Sequence, residues 1–173
     1  MIATFKPCTL KGRIGAPPSK SMAHRLLICA GLSEGKSTIE GFSLSDDIGA
    51  TLDCLSALGA EYEIENGKIT VTGTDIRNIP ENAVFSCRES GSTLRFLIPI
   101  CLLFSEEITI RGTKRLFERS LSIYEKLCAE RGLEFNVFED GVTVPFTRWG
   151  VIRGAYRDKE SYYGYLITTL RDL

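Results

Sequence analysis

The sequence has few of the residues that build metal and redox centres. It contains one histidine and one tryptophan in 173 residues, and none of its six cysteines forms a C-x-x-C pair. This pattern argues against zinc and thiol-redox motifs, and we predict no metal and no cofactor. Four cysteines fall in apolar runs and are expected to be small buried residues in a reducing compartment: Cys29, Cys54, Cys101 and Cys128.

The sequence also lacks a strong charge of either sign. Its formal net charge is −1, so no basic field would attract nucleic acid. The N-terminus has no signal-peptide pattern, and the longest apolar run, 96–104, is far shorter than the roughly 20 residues of a membrane span. We expect a soluble, cytoplasmic protein that binds neither nucleic acid nor membranes, in which any anion site is local.

A weak internal repeat organises the chain. Gly59 and Gly132, which each follow a helical pattern, lie 73 positions apart, and Gly67 and Gly141, in predicted hairpin turns, lie 74 apart. Each copy has the predicted order β-α-β-α-β-β, which places the fold in the α/β (α+β) class. We infer two full units and a truncated third.

The predicted elements of the first copy are a strand near 12–16, a helix over 22–32, a strand over 37–40, a helix from the cap Ser45 to Gly59, and a hairpin turning at Asn66-Gly67. Those of the second copy are a strand over 83–87, a helix from 90 to 104, a strand over 107–111, a helix over 121–131, and a hairpin over 133–144 turning at Asp140-Gly141. A third copy would begin with a strand at 151–153 and a helix at 163–170. Since the chain ends there, we expect a fragment, a truncated product or one part of a larger assembly.

The first helix start, Ser19-Lys20-Ser21, is a candidate anion site. A helix N-terminus presents free N–H groups and partial positive charge. Lys20 and Ser21 add a cation and a hydroxyl, and Arg25 lies one turn further on the same face. The spacing alone leaves two interpretations open: a phosphate or carboxylate site, or a capped helix with solvated cations.

The second copy has a matching loop at Ser90-Gly91-Ser92. Gly91 would let a ligand approach the backbone closely, and Arg95 lies just inside the helix. Arg119 is a further cation before a helix start, where the helix dipole does not favour it. The alternative is that Arg119 is an ordinary surface residue.

Two other candidates for chemistry have simpler explanations. His24, the only histidine, could act as a base, but it lies inside a helix without an evident partner and is expected to be packed or at the surface. Asp46-Asp47 could be paired carboxylates, yet acids in the first turn of a helix account for them.

Four ordered motifs together resemble the 5-enolpyruvylshikimate-3-phosphate synthase family. They are PPSKSMAHR at 17–25, SDD at 45–47 with ALGA at 57–60, ESGSTLRF at 89–96, and KRLFER at 114–119. The resemblance covers residues 1–146 well and the remainder poorly. It implies transfer of the enolpyruvyl group of phosphoenolpyruvate to the 5-hydroxyl of shikimate 3-phosphate, in the route to aromatic amino acids, without a cofactor.

The resemblance also implies domain boundaries. The family has two lobes, each of three β-α-β-α-β-β units. Residues 1–16 would then be a strand of the opposite lobe, 17–80 the first unit, 81–147 the second, and 148–173 a partial or divergent third. The missing second lobe, or self-association, would be the chain's protein partner.

By position in the motifs, the resemblance assigns site residues. Lys20 would be catalytic and would contact both substrates. Shikimate 3-phosphate would also be bound by Ser21, Arg25 and Ser161. Phosphoenolpyruvate, which glyphosate mimics in this family, would also be bound by Gly91 and Arg119. Asp47 and Arg95 would support the site.

The sequence departs from the family pattern at three places. Arg88 replaces a usual glycine, and Ser120 replaces a usual proline. In the third unit, Ser161 is the nearest match to a Ser-Ser-Gln loop that holds the shikimate phosphate, but Glu160 would repel phosphate and Tyr162 replaces the glutamine.

Three functions are therefore considered. The first is an enolpyruvyl transferase lobe that is inactive alone, because the family's acid/base carboxylate lies in the second lobe. The second is a non-catalytic remnant or binding protein with the same fold. The third is a UDP-N-acetylglucosamine enolpyruvyl transferase, against which the Pro-Pro-Ser-Lys-Ser sequence argues, because that family has a Lys-Asn start.

Overall fold

The computed structural model describes residues 3, 4, 7, 9, 11–75, 84–102 and 108–144. Their helices are α1 (Lys20–Gly31), α2 (Asp46–Ala57), α3 (Gly91–Cys101), α4 (Lys114–Phe117) and α5 (Ser122–Ala129). Their strands are β1 (Gly35–Glu40), β2 (Glu61–Glu65), β3 (Lys68–Gly73), β4 (Phe85–Ser86), β5 (Ile108–Arg111), β6 (Asn136–Phe138) and β7 (Gly141–Val144). No helix within these ranges is long and apolar enough to cross a bilayer.

The three long helices begin in the same way. Ser19, Ser45 and Ser90 precede α1, α2 and α3, and the Oγ atom of each accepts a hydrogen bond from the backbone N–H three residues later, at 3.2–3.4 Å. Each hydroxyl thereby satisfies one of the free N–H groups of a helix start. The predicted cap at Ser45 is confirmed, and the predicted stop at Gly59 coincides with a left-handed glycine (φ 98°) just after α2.

The strands form two sheets with related topology. The first has the order β1-β3-β2 and is antiparallel throughout. The second has the order β4-β5-β7-β6, in which β4 runs parallel to β5. The predicted hairpin turn at Asn66-Gly67 is confirmed, because both residues have positive φ (50° and 75°), as in a type I′ turn.

The structure corrects the prediction at the start of the first copy. No strand forms at 12–16, and all residues from 11 to 20 are exposed. A strand needs a neighbour to satisfy its backbone groups, and none of the described strands runs beside this segment. The predicted strand at 151–153 and helix at 163–170 lie outside the described residues.

The second copy contains an additional helix that the sequence pattern did not predict. The single turn α4 buries Leu116 and Phe117 against the core. Four residues are too few to show helical periodicity. Before the following helix, α5, the hydroxyl of Ser120 accepts a hydrogen bond from the Ser122 N–H at 3.3 Å, at the position where the resemblance expects a proline.

Arg88 lies at the second position that departs from the family pattern, and its backbone conformation explains why glycine is usual there. Its φ is 50°, in the left-handed region that glycine occupies without steric cost. An arginine there costs roughly 1–2 kcal/mol. Its guanidinium forms an ion pair with Asp53 on α2, and its carbonyl accepts a hydrogen bond from the Thr113 N–H at 2.8 Å.

The core lies where α1, α2 and α3 pack on each other and on the sheets. Its largest fully buried side chains are Phe85, Leu27, Ile28, Ile48, Leu52, Leu55, Leu58, Ile69, Leu94, Leu97, Ile98 and Ile100. Cys54, Cys101 and Cys128 are buried and free, as predicted, whereas Cys29 is only half-buried.

Pro99 lies inside α3 and lacks the N–H that would bond to the carbonyl of Arg95. The hydroxyl of Tyr124, on α5, donates a hydrogen bond to that carbonyl at 3.0 Å. Because Pro99 has no N–H to donate, the Arg95 carbonyl can accept the Tyr124 bond, which links α5 to α3.

Candidate functional site

A polar cleft of about 330 Å³ opens beside the starts of α2 and α3. It is lined by Asp47, Glu89, Gly91, Ser92, Arg95, Arg115 and Arg119. These residues come from five segments of the chain: the first turn of α2, the loop before α3, α3 itself, α4 and the connection between α4 and α5. The structure thus brings together four of the residues predicted from sequence: Asp47, Gly91, Arg95 and Arg119.

Gly91 is the first residue of α3 and lies between two guanidinium groups. A Cβ atom added at Gly91 would lie 2.6 Å from Nη1 of Arg119 and 2.8 Å from Nη1 of Arg95. Arg95 also donates a hydrogen bond from Nη1 to the Gly91 carbonyl at 3.3 Å. Only glycine leaves the backbone of this helix start open beside both cations.

The charges of the cleft are partly neutralised. Arg115 forms an ion pair with Glu89 at 3.4 Å, and Asp47 forms one with Lys20. Within the described ranges, Arg95 and Arg119 have no carboxylate partner. Two unneutralised guanidinium groups beside a helix N-terminus are suited to bind an anion.

Lys20 connects α1 to this cleft. It is the first residue of α1, and its ammonium contacts a carboxylate oxygen of Asp47. Lys20 itself is not among the residues that line the cleft, and the two predicted helix starts are connected through Asp47. Asp47 is an acidic residue in the first turn of α2, as predicted, and it also connects the Lys20 side chain to the cleft, which it lines.

Ser21 and Arg25 also lie together, as their spacing predicts. Nη1 of Arg25 donates hydrogen bonds to the Ser21 carbonyl, at 2.8 Å, and to the Ser21 hydroxyl. The guanidinium lies over the ring of Phe96 on α3, 5.2 Å from its centroid. This cation–π contact holds the Arg25 side chain between α1 and α3.

His24 is packed, as expected, rather than exposed in the cleft. It is 1% exposed, and its Nδ1 lies 2.8 Å from the Thr51 hydroxyl on α2. Burial lowers the pKa of His24 because it disfavours the imidazolium, and the nearby Lys20 and Arg25 act in the same direction, whereas Asp47 opposes them. His24 is therefore neutral at pH 7.

Three residues of the cleft lining were not predicted as site residues, although each lies within one of the four family motifs: Glu89, Ser92 and Arg115. The contact between Lys20 and Asp47 was also missed, because no local pattern sets the distance between two helix starts. Ser161, predicted to bind shikimate 3-phosphate, lies outside the described residues, as do Glu160 and Tyr162.

Comparison with known proteins identifies the family of the chain. The family model for EPSP synthase (3-phosphoshikimate 1-carboxyvinyltransferase) matches residues 5–156. A 3-phosphoshikimate 1-carboxyvinyltransferase of Clostridium perfringens is 40% identical over 136 residues, covering 79% of this chain and 32% of the relative. That of Clostridium novyi is 38% identical over 174 residues, covering 95% of this chain and 39% of the relative.

Solved structures show the same fold. An EPSP synthase from Acinetobacter baumannii superposes with a TM-score of 0.64 at 21% identity, over 83% of this chain and 37% of that structure. Fold and site thus define an α/β protein with a polar cleft lined by three arginines. The chain belongs to the EPSP synthase family. It spans about a third to two fifths of the length of the curated relatives it matches.

The lowered pKa of His24 predicts how stability depends on pH. Well above pH 6.5 the imidazole is neutral in both states. As pH falls through 6.5, the unfolded chain binds a proton that the folded chain does not, so the free energy of unfolding decreases, by at most about 1.4 kcal/mol between pH 7.5 and 5.5. Urea unfolding at several pH values measures this slope.

His24→Asn is the matched control for this measurement, because asparagine retains a donor near the Nδ1 position but does not titrate. The variant should lose most of the slope in this pH range. An unchanged slope would mean that another group causes it.

Proposed function

We propose that this chain supplies the N-terminal substrate-binding lobe for enolpyruvyl transfer from phosphoenolpyruvate to shikimate 3-phosphate, in the cytoplasm. The observation that carries the proposal is that Gly91 and Arg119 line one cleft together with Asp47, whose carboxylate contacts the Lys20 ammonium. Both substrates are anions, and the reaction releases phosphate. A site for it needs cations and helix N-termini placed around developing negative charge.

Phosphoenolpyruvate fits the α3 side of the cleft. The space beside Gly91 lies against the guanidinium groups of Arg95 and Arg119, which can bind carboxylate or phosphate oxygens in bidentate fashion. The proposed ligands are Lys20, Gly91 and Arg119, with Arg95 and Asp47 in support. Asp47 would hold the Lys20 ammonium in place through their ion pair.

Shikimate 3-phosphate is assigned to the α1 side, with Lys20, Ser21, Arg25 and Ser161 as proposed ligands. The stacking of Arg25 on Phe96 supports this, because it holds the guanidinium between α1 and α3, next to the start of α1. Lys20 would lie between the two substrates, which suits its proposed catalytic role.

Residues 1–173 alone are proposed to bind substrate without turnover. The family's acid/base carboxylate is expected in a second lobe, and an open cleft leaves its cations hydrated, which weakens their effect on reacting groups. With both substrates saturating, the isolated chain should release no phosphate above the background rate. Phosphate release at a measurable turnover number would contradict this proposal of inactivity.

Lys20→Ala should weaken the binding of both substrates. Loss of a charged hydrogen-bond donor removes about 1.5–3 kcal/mol, so the calorimetric Kd should rise roughly tenfold or more. The matched control is Lys68→Ala, because Lys68 is ion-paired with Glu40 and its side chain is as exposed as that of Lys20 (52%). Equal effects of the two substitutions, or no binding by the folded wild-type chain at millimolar ligand, would contradict the site.

Gly91→Ala should separate binding from stability. The added methyl group meets only the ends of two flexible arginines, so the free energy of unfolding should change by less than about 0.5 kcal/mol. It would occupy the space of the anion, and the Kd for phosphoenolpyruvate should rise roughly tenfold or more. Shikimate 3-phosphate is the internal control: a comparable loss of its affinity would show that the two subsites are not divided as proposed.

A further inference from the structure

A chain of buried polar side chains crosses the three long helices. Nδ1 of His24 on α1 lies 2.8 Å from Oγ1 of Thr51 on α2, which lies 2.8 Å from Oγ1 of Thr93 on α3. Thr93 donates a hydrogen bond from Oγ1 to Oγ of Ser90, the cap of α3, at 2.7 Å. Within the described part of the protein, these four are the only buried polar or charged side chains apart from Tyr124 and the buried cysteines.

The number of hydroxyl protons determines which side chain donates and which accepts in each of these hydrogen bonds. A threonine hydroxyl has one proton to donate. Since the Thr93 proton goes to Ser90, Thr51 must donate to Thr93, and the Thr51 oxygen then accepts from a protonated Nδ1 of His24. The competing contacts, from Thr51 and Thr93 to the Asp47 carbonyl, are longer at 3.3 and 3.4 Å.

The other imidazole nitrogen takes no part in these hydrogen bonds. Nε2 of His24 is buried and has no hydrogen-bond partner among the described residues. With the proton on Nδ1, Nε2 is a bare lone pair. In the opposite tautomer Nε2 would carry an N–H group that also lacks a described partner, so the assignment of the tautomer rests on the count of hydroxyl protons.

The residues of this hydrogen-bonded network lie next to residues of the cleft and its surroundings. Ser90 precedes Gly91, the Asp47 carbonyl is close to both threonine hydroxyls, and His24 lies between Lys20 and Arg25 along α1. A buried hydrogen-bonded network of this kind favours one packing arrangement over others of similar apolar burial.

We propose that His24, Thr51 and Thr93 are positioning residues whose hydrogen-bonded chain fixes the starts of α2 and α3 against α1, and thereby sets the spacing of Lys20, Asp47 and Gly91 in the cleft. The effect on ligands rests on the proposed function. The structural part does not, so the two can fail separately.

The first test is the tautomer of His24. The sequence has a single histidine, so every imidazole signal in a long-range ¹H–¹⁵N NMR spectrum belongs to His24. At pH 7.5 we expect a protonated Nδ1 and an unprotonated Nε2. A protonated Nε2 beside an unprotonated Nδ1 would overturn the proposed chain.

The second test removes one hydroxyl without changing the side-chain shape. Thr51→Val should weaken phosphoenolpyruvate binding roughly three- to tenfold, a change equivalent to about 0.7–1.4 kcal/mol. Thr51→Ser retains the hydroxyl and should restore most of the affinity. Ile69→Val, in the fully buried core of β3, is the control for general destabilisation and should change affinity less than twofold under conditions where all variants are folded.

A readout without ligand separates this proposal from the proposed function. Thr51→Val should shift the backbone amide signals of Gly91 and Ser92, whereas Ile69→Val should leave them in place. If the wild-type chain binds no phosphoenolpyruvate but these shifts occur, the proposed function fails and the positioning role stands. If the Gly91 and Ser92 signals do not move, or Thr51→Ser behaves like Thr51→Val, the positioning role is wrong.

Discussion

The site depends on how three helices are held at their starts. The hydroxyl of Thr51 lies between His24 on α1 and Thr93 on α3, in the middle of an otherwise apolar helix interface. Buried aliphatic side chains supply most of the stabilisation, but they tolerate small shifts of one helix along another. Hydrogen bonds do not, because a shift would leave buried polar atoms without partners. We infer that this constraint brings Lys20, Asp47 and Gly91 to one cleft.

The cleft combines neutralised and unneutralised charge. Lys20–Asp47 and Arg115–Glu89 are ion pairs, whereas Arg95 and Arg119 flank the start of α3 without carboxylate partners in the described ranges. Such a site attracts an anion at one end while ion pairs keep the neighbouring side chains in place. Because the cleft is open to water, its charges are screened. A covering surface would strengthen them, which agrees with the proposal that this lobe binds substrates but needs a second lobe for turnover.

Local features of the sequence predicted much of the fold and part of the site. The Ser45 cap, the helical periodicity and the Asn66-Gly67 turn are encoded within a few residues, and all three are confirmed. The strand expected at 12–16 was wrong, since strand formation depends on a neighbour that periodicity does not reveal. Likewise, no local pattern could place Lys20 against Asp47 or add Arg115 to the cleft lining, because those distances follow from helix packing. Arg88 departs from the motif, yet its positive φ explains why glycine suits that position.

Whether the helix starts form one anion site can be measured by titrating the ¹⁵N-labelled chain with phosphoenolpyruvate and following the amide NMR signals. If they do, the largest shifts should occur at Gly91 and Ser92, with smaller ones near Lys20 and Asp47, and all should fit one Kd. Added salt should raise that Kd, because the attraction is largely electrostatic. Shifts centred elsewhere, such as the β2–β3 hairpin, or no shifts at millimolar ligand, would contradict a single anion site at the helix starts.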